Sequence, residues 1–181
     1  MEGQILLWLQ ENMRTDWLTH IIKFITSLSN GGVLWIILAI ILVFIKKTRK
    51  DGFMLSIGLM LHLLFCNAIF KNVFKRPRPY EEVNGLVSLI GKLSDYSFPS
   101  GHTAVTFMVA IILFKRFPKY VGISMYVLAV LTGFSRMYLG VHYPTDILGG
   151  AVLGTVIGLG AMYIVDKYYN KREEKEKLNK N

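Results

Sequence analysis

Three short stretches of the chain contain the side chains best suited to chemistry: residues 71–79, 99–102 and 135–146. Together they supply three cations, two imidazoles and one carboxylate, namely Lys71, Arg78, Arg136, His102, His142 and Asp146. A phosphoryl group in transfer needs fixed cations around its oxygens, and an imidazole can act as nucleophile or proton donor. The set therefore predicts a site that binds a phosphate and transfers it through a histidine.

The first stretch contributes two cations from a stiff loop. Lys71 ends an apolar run, and Arg78 follows seven residues later between two prolines, which restrict the backbone. The planar guanidinium of arginine matches phosphate oxygens, whereas lysine offers a compact charge. Basic side chains also anchor helices at a membrane interface, and we favour that simpler interpretation for Lys75 and Arg76.

The second stretch, Pro-Ser-Gly-His at 99–102, immediately precedes an apolar run. Ser100 is a natural N-cap, so we expect a helix to begin near Gly101. The free N–H groups of a first helical turn favour an anion, and a glycine lets the backbone approach it closely. His102 falls in that first turn. A plain helix cap with an exposed histidine is the alternative interpretation.

The third stretch pairs His142 with Asp146, four residues later, and Pro144 between them predicts that a helix starts there. A carboxylate can accept the Nδ1–H of an imidazole and leave its Nε2 lone pair available. Arg136 adds a third cation. A surface ion pair is one alternative, and a metal site shared with His102 is another, although three nearby cations would repel a divalent ion.

The elements that must position these residues are apolar. Of 181 residues, 52% are hydrophobic, which indicates an integral membrane protein. Five apolar runs approach the ~20 residues that cross a bilayer: 32–46, 52–70, 101–117, 120–137 and 146–166. Residues 4–28 are typical of amphipathic interfacial helices, with a sixth span as the alternative. We predict an all-α transmembrane helical bundle in one domain, 1–168, with a charged tail, 169–181.

The basic connections predict the orientation of this bundle. Short basic loops at 46–50 and 115–119 and the tail from Lys167 fall on one side if the five runs alternate. Such loops face the cytoplasm, so the three motif stretches would face the exterior of the cell membrane. The net charge of +9 then suits anionic lipid headgroups, and no nucleic-acid partner is expected.

Lys-x6-Arg-Pro, Pro-Ser-Gly-His and Ser-Arg-x5-His-x3-Asp, in this order within residues 71–146, resemble the signature of the type 2 phosphatidic acid phosphatase superfamily. That superfamily includes bacterial lipid phosphatases and vanadium-dependent haloperoxidases. The resemblance implies phosphate hydrolysis without a metal or cofactor. It makes His142 the nucleophile, Asp146 its orienting group and His102 the proton donor. The phosphate-binding residues that it implies are Lys71, Arg78, Ser100, Gly101 and Arg136.

The resemblance also bears on the substrate. A small chain with short loops resembles the undecaprenyl diphosphate phosphatases, which act on the outer face. Phosphatidylglycerophosphate, phosphatidic acid and diacylglycerol pyrophosphate remain open as substrates. Five apolar runs argue against a soluble haloperoxidase, and intact His142, Asp146 and His102 argue against a non-catalytic lipid-binding protein. The sequence predicts no oligomeric state.

Overall fold

The computed structural model describes residues 1–179, and within that range the chain is helical, with no strand. The helices in chain order are α1 (Glu2–Met13), α2 (Asp16–Ser27), α3 (Val33–Phe44), α4 (Arg49–His62), α5 (Lys71–Phe74), α6 (Pro79–Glu82), α7 (Gly101–Arg116), α8 (Lys119–Tyr138) and α9 (Pro144–Leu178). A 3-10 turn, Asn30–Gly32, joins α2 to α3, and a π-helical segment, Leu63–Phe70, joins α4 to α5.

Four helical stretches are long and apolar enough to cross a membrane by length and composition: Asp16–Phe44, Arg49–Glu82, Lys119–Tyr138 and Pro144–Glu176. Each of the five predicted apolar runs falls on a helix, and the predicted all-helical bundle is confirmed. Helix α7, with 16 residues, is the predicted run that is not among these four long stretches. Helix α7 packs against α4, α8 and α9 and is buried along most of its length, so its apolar residues form the core.

Helix α9 packs against α7 through a stripe of glycines, Gly150, Gly154 and Gly158. A Cβ on Gly154 would lie 2.0 Å from the carbonyl oxygen of Ala104, which no side chain could tolerate. Small residues at four-residue spacing let two helix backbones approach closely in a membrane. The two helices whose first turns carry His102 and Asp146 are therefore held at a fixed separation.

The N-terminal helices α1 and α2 lie against α8. Leu6 of α1 and Ile22 of α2 are buried, whereas the opposite side of α2 exposes Trp17 and Phe24. Helix α2 is therefore amphipathic, but it also begins the apolar stretch Asp16–Phe44, so the interfacial placement of residues 4–28 stays a prediction. Helix α2 leads into α3 through a turn with two glycines in the left-handed region, Gly31 and Gly32, at φ values of 60° and 69°.

The basic connections lie at the end of the bundle opposite the motif residues. Lys50 Nζ lies 2.6 Å from Asp166 Oδ1, and Arg116 Nε lies 2.6 Å from Asp51 Oδ1, so the α3–α4 turn, the end of α7 and the late part of α9 meet there. Most of the predicted charged tail continues α9 as a helix to Leu178. The last two residues of that tail, 180–181, lie outside the described part of the chain.

Candidate active site

A cavity of about 630 Å³ brings most of the predicted site residues together. The predicted residues that line it are Lys71, Arg78, Gly101, His102, Arg136 and His142. Asp146 lies behind His142, and Ser100 lies at the start of α7 without lining the cavity. Residues from positions 71 to 142 thus meet at one end of the bundle, where α5, α7 and α9 begin and α8 ends.

His142 lies in the short loop between α8 and α9 and is 1% exposed. Its Nδ1 lies 3.5 Å from Asp146 Oδ2 and 3.4 Å from Ser97 Oγ, and its Nε2 lies 3.4 Å from Arg78 Nη1. Two oxygen acceptors on the Nδ1 side favour the tautomer with the proton there. The Nε2 lone pair then faces the cations, as a nucleophile directed at a bound phosphate requires.

The carboxylate of Asp146 is fully buried, and both of its oxygens accept hydrogen bonds. Oδ1 accepts from Arg76 Nη1 at 2.7 Å, and Oδ2 accepts from Ser97 Oγ at 2.5 Å and from the Tyr143 N–H at 2.8 Å. These donors fix the carboxylate beside His142 and leave it poorly placed to ligate a cation. In the described chain, no group of three or more His, Cys, Asp or Glu side chains is placed to hold a metal ion.

Lys71 and Arg78 are buried and share one carboxylate, that of Asp95. Lys71 Nζ forms an ion pair with Asp95 Oδ2, and Arg78 Nη2 donates to Asp95 Oδ1 at 2.6 Å. Burial would raise the pKa of Asp95, but the hydrogen bonds and charges of Lys71 and Arg78 outweigh it and lower that pKa to about 2. Asp95 is therefore an anion between the two cations at neutral pH.

Arg136, near the C-terminal end of α8, is 2% exposed and points into the same cavity. Its Nη1 donates to Thr26 Oγ1 of α2 at 2.9 Å. Its buried Nε has no acceptor among the described residues. Buried donors in folded proteins nearly always have a partner, so the guanidinium of Arg136 retains capacity to donate to an anionic ligand.

Helix α7 begins at Gly101, as the sequence predicts, but the Ser100 side chain does not cap it in the expected way. Ser100 is the N-cap residue as predicted, yet its hydroxyl accepts from Thr103 Oγ1 at 3.0 Å instead of capping the helix. The Ser100 N–H donates to the carbonyl of Asp146, so its role in phosphate binding stays a prediction. His102 follows in the first turn, and its Nε2 lies 2.9 Å from Asn30 Oδ1.

Burial and nearby charges determine the protonation state of His142. Burial lowers its pKa to about 3, and the nearby cations Arg136 and Arg78 act in the same direction, against the opposing charge of Asp146. The imidazole is therefore neutral at physiological pH. A neutral imidazole is the form that can attack an electrophile, because protonation removes the lone pair.

Sequence reasoning missed four contributors to this site: Asp95, Ser97, Asn30 and Thr26. The interpretation of Arg76 as an interface anchor is wrong, because its guanidinium forms ion pairs with two carboxylates, Glu2 and Asp146. Arg76 also stacks on the ring of Tyr143, with 4.0 Å between the guanidinium carbon and the ring centroid. Lys75 is exposed, as the anchor interpretation requires.

The chain is similar to proteins of known description. It is 35% identical over 130 residues to an undecaprenyl-diphosphatase of Sulfolobus acidocaldarius, covering 72% of this chain and 63% of that protein. It is 34% identical over 141 residues to the undecaprenyl-diphosphatase BcrC of Bacillus subtilis, covering 78% and 72%. The chain thus spans less than two thirds of the archaeal relative.

A solved structure shares the fold. It is the crystal structure of a transmembrane PAP2-type phosphatidylglycerolphosphate phosphatase from Bacillus subtilis, with a TM-score of 0.73 and 33% identity, covering 94% of this chain and 85% of that one. The pattern of the PAP2 superfamily matches residues 52–170, which include the three motif stretches and the loop that carries Asp95 and Ser97. The family predicted from the motifs is confirmed, and the chain belongs to the PAP2 superfamily.

Proposed function

We propose that the chain is an integral membrane phosphatase that hydrolyses a lipid diphosphate through a phosphohistidine at His142. The observation that carries this proposal is the arrangement around that imidazole. Its Nδ1 faces Ser97 and Asp146, and its Nε2 faces Arg78 in a cavity that Lys71 also lines. A binding protein would have no use for an oriented, neutral imidazole among phosphate-binding cations.

The chemistry divides into two displacements. Nε2 of His142 attacks the terminal phosphorus in line, and the bond from phosphorus to the leaving oxygen breaks with its electron pair. His102 protonates that oxygen and then takes a proton from the water that hydrolyses the phosphorus–nitrogen bond. Lys71, Arg78 and Arg136 offset the charge on the phosphoryl oxygens, where preorganised donors lower the barrier most.

The substrate proposed is undecaprenyl diphosphate. Two relatives are undecaprenyl-diphosphatases, which supports this substrate, and the lining of the cavity suits a lipid phosphate. Apolar side chains from α3, α4, the π-helical segment and α7 line the same cavity as the cations: Ile36, Leu59, Leu63 and Val105. A lipid phosphate could thus place its phosphate at the cations and its apolar chain along these helices. Phosphatidylglycerophosphate is the second candidate, because the structural relative from Bacillus subtilis is a phosphatase of that lipid.

The proposed orientation places the cavity at the exterior and the C-terminus in the cytoplasm. The ion pairs Lys50–Asp166 and Arg116–Asp51 support it, because they gather the basic connections at the end away from His142. Short basic segments stay on the cytoplasmic side during insertion. A cysteine introduced at residue 84 should react with an impermeant thiol reagent in intact cells. If that cysteine reacted only after the cells were lysed, the proposed orientation would be wrong.

The first test of the activity is phosphate release by purified protein from a panel of lipid phosphates in the presence of EDTA. We expect turnover of undecaprenyl diphosphate that EDTA leaves unchanged. Loss of turnover on chelation, with recovery on adding one divalent ion, would refute the metal-independent mechanism. Faster turnover of phosphatidylglycerophosphate or phosphatidic acid would support the proposed enzyme class but show that undecaprenyl diphosphate is not the preferred substrate.

The second test addresses the nucleophile. Brief reaction with substrate labelled at the terminal phosphorus should give acid-labile, base-stable label on the protein, and His142→Ala should abolish both label and turnover. His20→Ala is the matched control, since His20 is exposed on α2 and lies outside the cavity lining. Near-normal turnover in His142→Ala would mean direct attack by water.

A further inference from the structure

The cavity has a wall that the superfamily pattern does not include. The pattern begins at residue 52, whereas Lys23, Thr26, Ser29 and Asn30 also line the cavity. These residues lie at the end of α2 and in the turn that follows it. These polar groups therefore lie outside the matched range and face the same cavity as the motif residues.

Lys23 faces the site because of its place on α2. Thr26, three residues later, is buried and accepts a hydrogen bond from Arg136, and residues three apart share a side of a helix. The exposed apolar stripe of α2, Trp17, Ile21 and Phe24, lies on a different side, and Lys23 is exposed at the edge of the cavity. Lys23 belongs to no ion pair within residues 1–179. It is thus a cation at the cavity with no carboxylate to neutralise it.

Ser29 gives an independent indication of a polar ligand at this wall. Its side chain is buried, with 3% exposure, and it lines the cavity. Its Oγ has no hydrogen-bond partner among the described residues. A buried hydroxyl without a partner is costly, and a ligand oxygen in the cavity would remove that cost.

The charge of the cavity indicates which ligand fits. Four cations and one carboxylate line it, namely Lys23, Lys71, Arg78, Arg136 and Asp95, which gives +3 before the proton that His102 donates in the proposed first step is counted. A phosphomonoester carries about −2 at neutral pH, and a second phosphate brings a monoalkyl diphosphate to about −3. Lys23 adds one positive charge to this set, and a diphosphate carries about one negative charge more than a monoester.

We propose that Lys23 and Ser29 form a subsite for the second phosphate of the substrate, the one esterified to the lipid. This inference rests on the proposed function and adds to it the choice of diphosphate over monoester. Lys71, Arg78 and Arg136 hold the terminal phosphate at His142. When the bond to the bridging oxygen breaks, the leaving lipid monophosphate keeps the electron pair, and Lys23 offsets the charge that develops there.

The test compares farnesyl diphosphate with farnesyl monophosphate, because the two share one lipid chain. Lys23→Gln in the full-length protein should lower kcat/KM for the diphosphate about tenfold and leave the monophosphate within twofold, as expected for one charge contact near the surface. Lys23→Arg should retain the preference. Ser29→Ala should reduce the diphosphate rate about threefold, since a neutral hydrogen bond contributes less.

Lys92→Gln is the matched control, because Lys92 is an exposed lysine of the loop before α7 that does not line the cavity. This variant should leave kcat/KM unchanged for both substrates. An equal loss for both substrates in Lys23→Gln, or no loss, would overturn the subsite. Wild-type protein that hydrolyses only the monophosphate would also overturn it while leaving the phosphatase intact. Failure to hydrolyse either substrate would instead refute the proposed function.

Discussion

Asp95 is a carboxylate placed where an incoming phosphate would meet Lys71 and Arg78. Because Asp95 and a bound phosphate would compete for the same N–H donors of Lys71 and Arg78, we expect the proposed substrate and its product to displace the carboxylate. Asp95→Asn keeps the shape and removes the charge. Arg78 would stay in position, since its Nε donates to the backbone carbonyl of Asp95 at 2.9 Å and its Nη1 to that of Val141 at 2.8 Å. The variant should therefore bind phosphate more tightly.

The size of the effect follows from the pKa of Asp95, which falls from 3.8 to about 2. At 1.36 kcal/mol per unit, the cations favour the charged form by about 2 kcal/mol net of the cost of burial. The side chain is 51% exposed, so solvent screening reduces this value, and half of it, about 1 kcal/mol, is a reasonable share. Removing the competing charge should then strengthen phosphate binding about fivefold.

The assay is competitive inhibition by inorganic phosphate and by vanadate, with melting curves of the same preparations. Asp95→Asn should lower both inhibition constants about fivefold and also lower the Tm, because Lys71 and Arg78 lose their counter-ion. Asp166→Asn removes a similarly exposed carboxylate paired with Lys50 at the far end, and it should leave inhibition unchanged. Weaker or equal inhibition of Asp95→Asn would show that Asp95 supports phosphate binding instead of competing with it.

Three further predictions concern the imidazole and the helix contacts. Asp146→Asn should reduce kcat by about 10²–10⁴ and leave the inhibition constant for phosphate nearly unchanged, and Ser97→Ala should reduce kcat by less. A normal kcat in Asp146→Asn would contradict the orienting role of Asp146. Gly101→Ala should weaken phosphate inhibition at unchanged Tm, since a Cβ there meets only ordinary contacts at 3.5 Å or more, whereas Gly154→Ala should lower the Tm sharply. The pKa of His142 lies below its usual 6.5, at about 3, so the unfolded chain binds more protons between these values and stability falls as pH falls through that window. Melting curves from pH 7 to pH 4 should show a steeper loss of Tm in wild type than in His142→Ala, and parallel curves would contradict the shift.

The sequence predicted the parts of the site that are local. His142 and Asp146 are four residues apart across a helix start, and Gly101 and His102 open an apolar helix, so spacing alone indicates their geometry. The apolar runs likewise predicted the helices, because about 20 apolar residues have few alternatives to a helix in a bilayer.

The parts that sequence could not predict depend on contacts between distant residues. Ser97 and Asp95 lie in an irregular loop with no periodicity, and Thr26 and Asn30 meet partners 110 and 72 residues away. Arg76 looked like any basic residue at an interface until Glu2 and Asp146 were placed beside it. Composition also cannot distinguish a lipid-facing helix from a buried one, and that is why α7 resembled its neighbours.

The glycine contact between α7 and α9 limits which parts of the molecule can move to admit the proposed lipid substrate. Ala104 and Gly154 leave no room for sliding, and the Ser100 N–H to Asp146 carbonyl bond ties together the first turns of the two helices. The opposite wall is the end of α2 with the turn after it, where Thr26 accepts a hydrogen bond from Arg136 and Ile22 packs in an apolar cluster with Tyr138 of α8. We therefore expect any widening of the cavity to occur at the two-glycine turn, where Gly31 and Gly32 have almost no neighbours, while the α7–α9 contact keeps His102 and Asp146 at a fixed separation.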